Sequence, residues 1–261
     1  MRAKSSRSFG LWSIALIVLG IILLLNNYLL ITGFNIASLW PLLLVVAGAL
    51  ILLRGDLFPA DSGRNFGITR GSVESATLEV NAGAVDVSAR PLHREGRLIA
   101  GQYAADTRPA LDVQHNHAHL KMDRSATPLL SLANWDMALA HDLPWELYVS
   151  TSLGQIQLDL KGLIVSKAVI ASGIGDIRLE CPAETFEQIE VRSAIGSIQI
   201  LTPPGVRTRV TVQGSRVFRV IADPGRYLEA EPGIFTARDA SERDPWIDIH
   251  VRGTFGSAYL A

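Results

Sequence analysis

Three eleven-residue stretches of the sequence are nearly the same: 150-STSLGQIQLDL-160, 171-ASGIGDIRLEC-181 and 192-RSAIGSIQILT-202. Each has a glycine at its fifth position, so that Gly154, Gly175 and Gly196 follow one another at intervals of 21 residues. Two weaker copies surround Gly83 (LEVNAGAVDV) and Gly256 (VRGTFGSAYL). The fixed period indicates that one structural unit is repeated along the chain.

Apolar and polar residues alternate on both sides of each glycine, which predicts two short strands joined by a glycine corner. The positions two residues after the glycines carry Val85, Ile156, Ile177, Ile198 and Ala258. One such unit cannot bury its apolar row alone, whereas stacked units form a continuous core. The repeat therefore predicts a parallel β-solenoid with coils of roughly 21 residues. A sandwich of antiparallel hairpins, which also has short strands at regular spacing, is the alternative.

The N-terminal part of the chain has the composition of a membrane segment. Phe9–Leu25 and Ile36–Leu53 are uncharged apolar runs of 17 and 18 residues. At about 1.5 Å per residue, each is nearly long enough to cross a bilayer as a helix. We therefore predict a transmembrane helical hairpin over residues 1–54. A cleaved signal peptide is the alternative for the first run, but no small-residue cleavage signal directly follows it and a second apolar run comes soon after.

The distribution of charge predicts how the hairpin is oriented. Residues 1–54 contain four basic residues and no acidic one, whereas the remaining 207 residues contain 20 basic and 25 acidic residues. The basic residues near the hairpin precede its first run or follow its second, and the connection NNYLLITGFN is uncharged. By the positive-inside rule, both termini and the soluble domain are expected in the cytoplasm. No broad basic surface of the kind that binds nucleic acid is predicted.

The two predicted domains are joined by a polar segment. Residues 55–75 are rich in Gly, Ser, Asp and Arg and lack an apolar period, so they are predicted to form a juxtamembrane linker. The β-solenoid domain is then expected over residues 76–261. Within the hairpin, Gly20 and the Ala47-Gly48-Ala49 cluster offer small contact residues, which are compatible with self-association through helix packing.

The membrane segments and the repeat together resemble a known combination of families. The runs LIVLGIILLLNNYLLI and LWPLLLVVAGALILLR, with Trp40-Pro41 opening the second, resemble the LiaI/LiaF-type transmembrane region. The block LPWELYVSTSLGQIQLDLKGLIVSKAVIASGIGDIRLEC resembles the toast-rack domain, also called the cell-wall-active-antibiotics response or putative-adhesin β-repeat domain. The resemblance implies a LiaF-like bacterial membrane protein of the envelope-stress type that acts through protein contacts. Its shorter membrane part, compared with relatives that carry four helices, leaves the signalling partner unspecified.

One histidine cluster in the sequence has a spacing that could form a metal site. His115, His117 and His119 alternate in HNHAH, so that in a strand all three rings would project from one face and could hold Zn²⁺. A solvated strand face has the same pattern, no acidic residue or cysteine adjoins the cluster, and the resembled family has no such site. We therefore expect no metal and no cofactor.

Clustered carboxylates could indicate a carbohydrate-active enzyme, because acid and base catalysis needs two such groups held together. Asp86, Asp159 and Asp176 stand at different distances from their glycines, which predicts no stacked pair. Cys181 is the single cysteine and is expected to be a small buried core residue. No catalytic or cofactor-binding residue is predicted, and the chain is not expected to be an enzyme.

The expected function is therefore that of a membrane-anchored regulatory or scaffold protein of the bacterial cell-envelope stress response. Its expected partners are the lipid bilayer of the cytoplasmic membrane and another membrane protein, such as a sensor kinase or stress-response component. An exported adhesin-like or envelope-polysaccharide binding module is the alternative, and it requires the soluble domain to lie outside the cell.

Overall fold

The computed structural model describes residues 64–94, 96–103, 108–124, 134–238, 241 and 245–261. These residues form eighteen strands and no helix. None of them therefore belongs to a helix that could cross a membrane. The helices predicted at 9–25 and 36–53 lie outside the described residues.

The strands are mostly short, as expected for a repeated coil with tight corners. In chain order they are β1 (Arg64–Thr69), β2 (Ser75–Asn81), β3 (Asp86–Leu92), β4 (Arg97–Tyr103), β5 (Ala110–Gln114), β6 (His117–Asp123), β7 (Asn134–Ala140), β8 (Pro144–Leu153), β9 (Ile156–Asp159), β10 (Ile164–Ile174), β11 (Ile177–Glu180), β12 (Ile189–Ile195), β13 (Ile198–Leu201), β14 (Arg207–Gly214), β15 (Phe218–Ala222), β16 (Tyr227–Glu231), β17 (Ile234–Ala237) and β18 (Trp246–Leu260).

The strands pair into two sheets that are joined by the long strand β18. Sheet A has the order β1-β4-β7-β3-β9-β11-β13-β18-β15. Sheet B has the order β5-β6-β2-β8-β10-β12-β18-β14-β17-β16. Pairs in the middle of each sheet are parallel, and the antiparallel pairs involve β1, β4, β5, β16 and β17 near the ends. The parallel centre excludes a stack of antiparallel hairpins.

Each coil places its first strand in sheet B and its second in sheet A, with the glycine corner between them. The coils β8–β9, β10–β11 and β12–β13 follow one another in both sequence and space, as the 21-residue period predicts. The remaining coils do not follow chain order. The β2–β3 coil lies between β6–β7 and β8–β9, and the two halves of β18 lie between β12–β13 and β14–β15.

The central register agrees with the alignment on the glycines. Ile177 pairs with Ile156 and Ile198, and Ile198 pairs with Ala258. All four residues are at most 1% exposed. Trp135, Met137 and Leu139, which alternate with less buried residues along β7, are fully buried as well.

Two predictions from the sequence are wrong, one in the register of a repeat and one in the extent of the linker. The alignment on Gly83 is shifted by two residues, because Val87, not Val85, pairs with Ile156, and Val80 pairs with Val149. Val85 therefore occupies the same row as Gly154 in the neighbouring coil. In addition, β1 (Arg64–Thr69) lies inside the segment predicted as a linker, where it pairs with β4 along its whole length. Its short alternation was hidden among polar residues.

Glycine is required at the corners because successive coils approach each other closely there. The corner residues Gly154, Gly175 and Gly196 have φ angles of 154°, 145° and 147°. A Cβ added to Gly175 would overlap the carbonyl oxygen of Gly154, and one added to Gly154 would lie 2.6 Å from the carbonyl oxygen of Val85. Neighbouring corners are joined by backbone bonds, for example from the N–H of Gly175 to the carbonyl of Ile195 at 2.9 Å.

Hydroxyl side chains close the inside of the same corners. Thr151, Ser172 and Ser193 pair in one row and are nearly fully buried. The Thr151 hydroxyl donates to the carbonyl oxygen of Gly83 at 2.9 Å, and the Ser172 hydroxyl lies 3.5 Å from that of Gly154. The Thr151 hydroxyl thus adds a third donor to a carbonyl that also accepts the N–H groups of Ser152 and Leu153, whereas the buried Ser193 hydroxyl has no hydrogen-bond partner.

Replacing Ile177 by Asp should strongly destabilise the fold. The new carboxylate would lie unpaired among the stacked side chains of Ile156 and Ile198, at a cost of several kcal/mol. Replacing the neighbouring Arg178, whose side chain is 48% exposed, by Ala should have little effect. Thermal unfolding of both variants tests the register, and equal losses of stability would contradict it.

Replacing Gly175 by Ala should reduce the free energy of unfolding by about 2 kcal/mol or more, because the backbone must move away from Gly154 and adopt a strained φ. Gly162→Ala is the matched control. Gly162 also has a positive φ, of 73°, but nothing lies within 4 Å of the position of its Cβ. Chemical denaturation of both variants separates close approach from backbone preference. A loss no larger than that of Gly162→Ala would show that close approach does not matter.

Candidate interaction surface

The three histidines do not share one strand face. His115 and Asn116 form the turn between β5 and β6, with φ angles of 50° and 64°. His117 and His119 lie in β6, where the His117 ring nitrogens are 2.8 Å from the Ser75 hydroxyl and 2.9 Å from the Thr77 hydroxyl. His119 Nε2 is 3.3 Å from a carboxylate oxygen of Glu79. The arrangement in which all three rings project from one strand face and hold Zn²⁺ is therefore wrong. No group of three metal-ligating side chains is present among the described residues.

The aspartates near the corners bind backbone groups. Asp86 Oδ1 accepts the N–H of Gln155 at 2.7 Å, and Asp176 Oδ1 accepts the N–H of Ser197 at 2.7 Å. With the corrected register, Asp86 and Asp176 occupy one row, but Gln155 stands between them. Asp159 accepts the N–H of Lys161 at 3.1 Å and so supports the turn at Gly162. These three carboxylates stabilise turns, and they form no acid–base pair.

Cys181 is part of the core, as predicted. It is fully buried between Leu160 and Thr202 in the row that closes each coil opposite the glycine corner. Burial raises the pKa of its thiol to about 12. Because the thiolate is the reactive form, this side chain is inert at neutral pH in the folded protein.

The outer face of sheet A carries an open groove of about 660 Å³. One row of outward side chains crosses its floor, in which neighbouring strands contribute Gln157, Arg178, Gln199, Tyr259 and Ile221. The turn after β15, with Asp223 and Pro224, forms one wall. Tyr259 is 41% exposed and Ile221 is 49% exposed.

An ion-pair network holds the arginine of this row in place. Arg178 donates to Glu180 at 3.2 Å and to the side-chain oxygen of Gln199 at 3.4 Å. Glu180 also binds the ammonium group of Lys161 at 2.5 Å. The hydrogen bond from Lys161 lowers the pKa of Glu180, so that this carboxylate is ionised at neutral pH. These contacts therefore restrict the position of the Arg178 side chain on the floor of the groove.

Such a row can bind a protein surface better than it can perform a reaction. Arginine and tyrosine are enriched where protein contacts contribute most binding energy, and glutamine amides supply adaptable hydrogen bonds. The sequence did not reveal this surface, because Ile221 and Tyr259 become neighbours only when β18 enters between the β12–β13 and β14–β15 coils. The available signal for the surface was a large side chain at an outward position, Ile221 in one repeat and Tyr259 in another, although these repeats are not consecutive in the sequence.

Comparisons with known proteins agree with this architecture. The LiaF transmembrane domain profile matches residues 11–69, and the Toast_rack_N profile, which describes the N-terminal domain of toast_rack, matches residues 63–201. Comparison with curated proteins finds no match.

Two solved structures resemble the chain. The crystal structure of a "putative cell adhesion protein" from Clostridium sporogenes matches with a TM-score of 0.67 and 16% identity, over 76% of this chain and 98% of that one. That of a "putative adhesin" from Bacteroides fragilis has a TM-score of 0.33 and 11% identity, over 78% of this chain and 99% of that one.

The first structural likeness supports the fold, and the two family matches go further. Their order along the chain is the one that the sequence predicted, with the transmembrane domain first. The LiaF-type domain indicates a membrane-anchored protein related to envelope stress. Since the toast-rack match covers more than half of the sequence, the chain belongs to the toast-rack family, with a LiaF-type transmembrane domain preceding its β-repeat domain.

Proposed function

We propose that this protein is a non-enzymatic regulator or scaffold of the bacterial envelope-stress response, which acts through protein contacts of its β-solenoid domain. The observation that carries the proposal is the groove of about 660 Å³ on sheet A, on a domain that follows a LiaF-type membrane anchor. A flat row with Arg178, Tyr259 and Ile221 at its centre fits a protein partner.

The chemistry of the described carboxylates supports a non-enzymatic role. Asp86, Asp159 and Asp176 are each engaged by a backbone N–H. The buried thiol of Cys181 is held in its unreactive form. These four side chains thus stabilise the corners and the core.

The partner is proposed to be another protein of the same membrane, such as a sensor kinase or another stress-response component. The basic residues that flank the hairpin favour a cytoplasmic position for both termini and the soluble domain. The Ala47-Gly48-Ala49 cluster offers a surface for self-association within the bilayer. Neither apolar run contains an ionisable residue of the kind that marks a transport path, so we propose anchoring rather than transport.

The alternative is an exported module for adhesion or for binding envelope polysaccharides. The name of the Clostridium sporogenes protein agrees with this alternative. Sugar binding usually relies on several aromatic side chains that stack on the rings. Among the described residues that line the groove, Tyr259 is the single aromatic one. The composition of the groove therefore favours a protein partner.

A reporter fused after Ala261 separates the two functions. A fusion to a cytoplasm-active reporter should be active, and a fusion to an enzyme that folds only after export should be inactive, because the positive-inside rule retains the domain. The same pair of reporters fused after Tyr28, in the predicted outer loop, is the control and should give the reverse result. Activity of the export-dependent fusion at Ala261 would overturn the cytoplasmic assignment and favour the adhesin-like module.

Photo-crosslinking tests the groove directly. A photoreactive residue in place of Ile221 should form an adduct with a defined membrane protein in intact cells, because this side chain is half exposed inside the groove. The matched control is Leu228, which is 51% exposed on β16 of sheet B, and it should not form that adduct. Tyr259→Ala should reduce the adduct severalfold without changing the melting temperature. Equal crosslinking from both positions would contradict a specific site in the groove.

A further inference from the structure

A row of apolar side chains, four of them exposed and Leu153 half-buried, runs along the glycine corners. Leu153, Ile174, Ile195 and Phe255 directly precede Gly154, Gly175, Gly196 and Gly256, and they pair with one another across neighbouring coils. Val217 continues the row, since the next residue, Phe218, pairs with Gly256. We call these five residues the glycine-corner ridge. At about 4.8 Å per strand, the ridge is about 19 Å long.

The core does not need these side chains. Ile174, Ile195, Phe255 and Val217 are 49%, 48%, 54% and 54% exposed, although residues just before a sharp turn on a protein surface are usually polar. A contiguous row of large apolar side chains left in water is a sign of a contact surface.

The described chain begins at the same edge of the solenoid. Asn65 pairs with Gln102 and Gln102 with Asp136, and this row continues through Ser88 to Gln157. Asn65 is thus level with Gln157, three residues after Gly154. The direction of β1, parallel to β9, means that the chain before Arg64 comes from the glycine-corner edge.

A short covalent connection leads to this edge. Ten residues, 54–63, separate the end of the second predicted membrane helix from Arg64. Even fully extended, ten residues reach no further than about 35 Å. The polypeptide therefore enters the solenoid after a short connection, at the edge that carries the ridge.

The charges beside the ridge suit an anionic lipid surface. Arg252, Arg216 and Arg219 are exposed next to Phe255 and Val217, and no Asp or Glu lies within three positions of either apolar residue in the sequence. Asp86 and Asp176 place two carboxylates beside the other part of the ridge, where each accepts a backbone N–H group, so the positive charge is concentrated at the end that carries Phe255 and Val217. Apolar side chains flanked by arginines are typical of segments that bind at the interface of anionic membranes.

We propose that the glycine-corner ridge rests on the anionic lipid surface of the membrane that anchors the chain. Ile174, Ile195 and Phe255 then enter the headgroup layer, and the neighbouring arginines bind lipid phosphates. This inference concerns a surface different from the groove on sheet A and does not depend on the identity of a protein partner.

Depth-sensitive fluorescence on the full-length protein in vesicles rich in phosphatidylglycerol tests the proposal. Ile195→Cys, labelled with an environment-sensitive dye, should shift to the blue and should lose most of its emission when the lipids carry a quencher near the headgroup. Phe186→Cys is the matched control, because Phe186 is 71% exposed on the opposite edge of the coils. It should be unaffected by the quencher. Cys181 is buried and does not take up the dye in the folded protein.

Two further variants identify what covers the ridge. Ile174→Asp and Phe255→Asp together should abolish quenching at Ile195→Cys without lowering the melting temperature in detergent, and vesicles of phosphatidylcholine alone should weaken the quenching severalfold. Absence of quenching at Ile195→Cys would overturn the proposal. A blue shift without quenching, accompanied by disulfide-linked dimers of the unlabelled Ile195→Cys protein, would assign the ridge to a second copy of the chain and would equally overturn it.

Discussion

The close approach of backbone at the glycine corners is the constraint on which the rest of the structure depends. Each corner places its carbonyl oxygen where the Cβ of the next corner would lie, so that the coils can stack only if that atom is missing. Val85 stands at one end of this series and Phe218 at the other, where its ring packs against Gly253 and Gly214. Between them, the stacked glycines bring Ile156, Ile177 and Ile198 into one unbroken apolar row.

The order of the coils makes this solenoid less modular than its repeat suggests. In a simple solenoid each coil contacts its sequence neighbours, and stability is close to a sum of local terms. Here β18 pairs with β12 and β13 on one side and with β14 and β15 on the other, and β2 separates β6 from β8. Segments far apart in sequence must therefore meet before the stack is complete, which favours cooperative unfolding.

The sequence predicted the repeated coils but not their full arrangement. The 21-residue period and strict alternation determine the register of β8–β13, since shifting a strand by one residue would expose its whole apolar row. The copy at Gly83 was misplaced by two residues because its own alternation, Leu78-Val80 and Val85-Val87, fits either register. The interleaving of β18 was not predictable, because pairing between residues as far apart in sequence as Ile198 and Ala258 leaves no local periodic signal.

The corner geometry also explains why the alternation of apolar and polar residues does not predict the ridge. It places the ridge beside the groove. Alternation from Val149 through Thr151 would count Leu153 as an inward residue, and Ile174 and Ile195 likewise, but the glycine turn redirects the backbone, which leaves Leu153 half-buried and exposes the two isoleucines. A ridge on the corner edge and a groove on the outer face of sheet A are adjacent surfaces that meet at an angle. With the ridge on a lipid surface, the groove would remain open to a protein partner. Lipid contact and partner binding would then reinforce each other, because each reduces the orientational freedom that the other has to overcome.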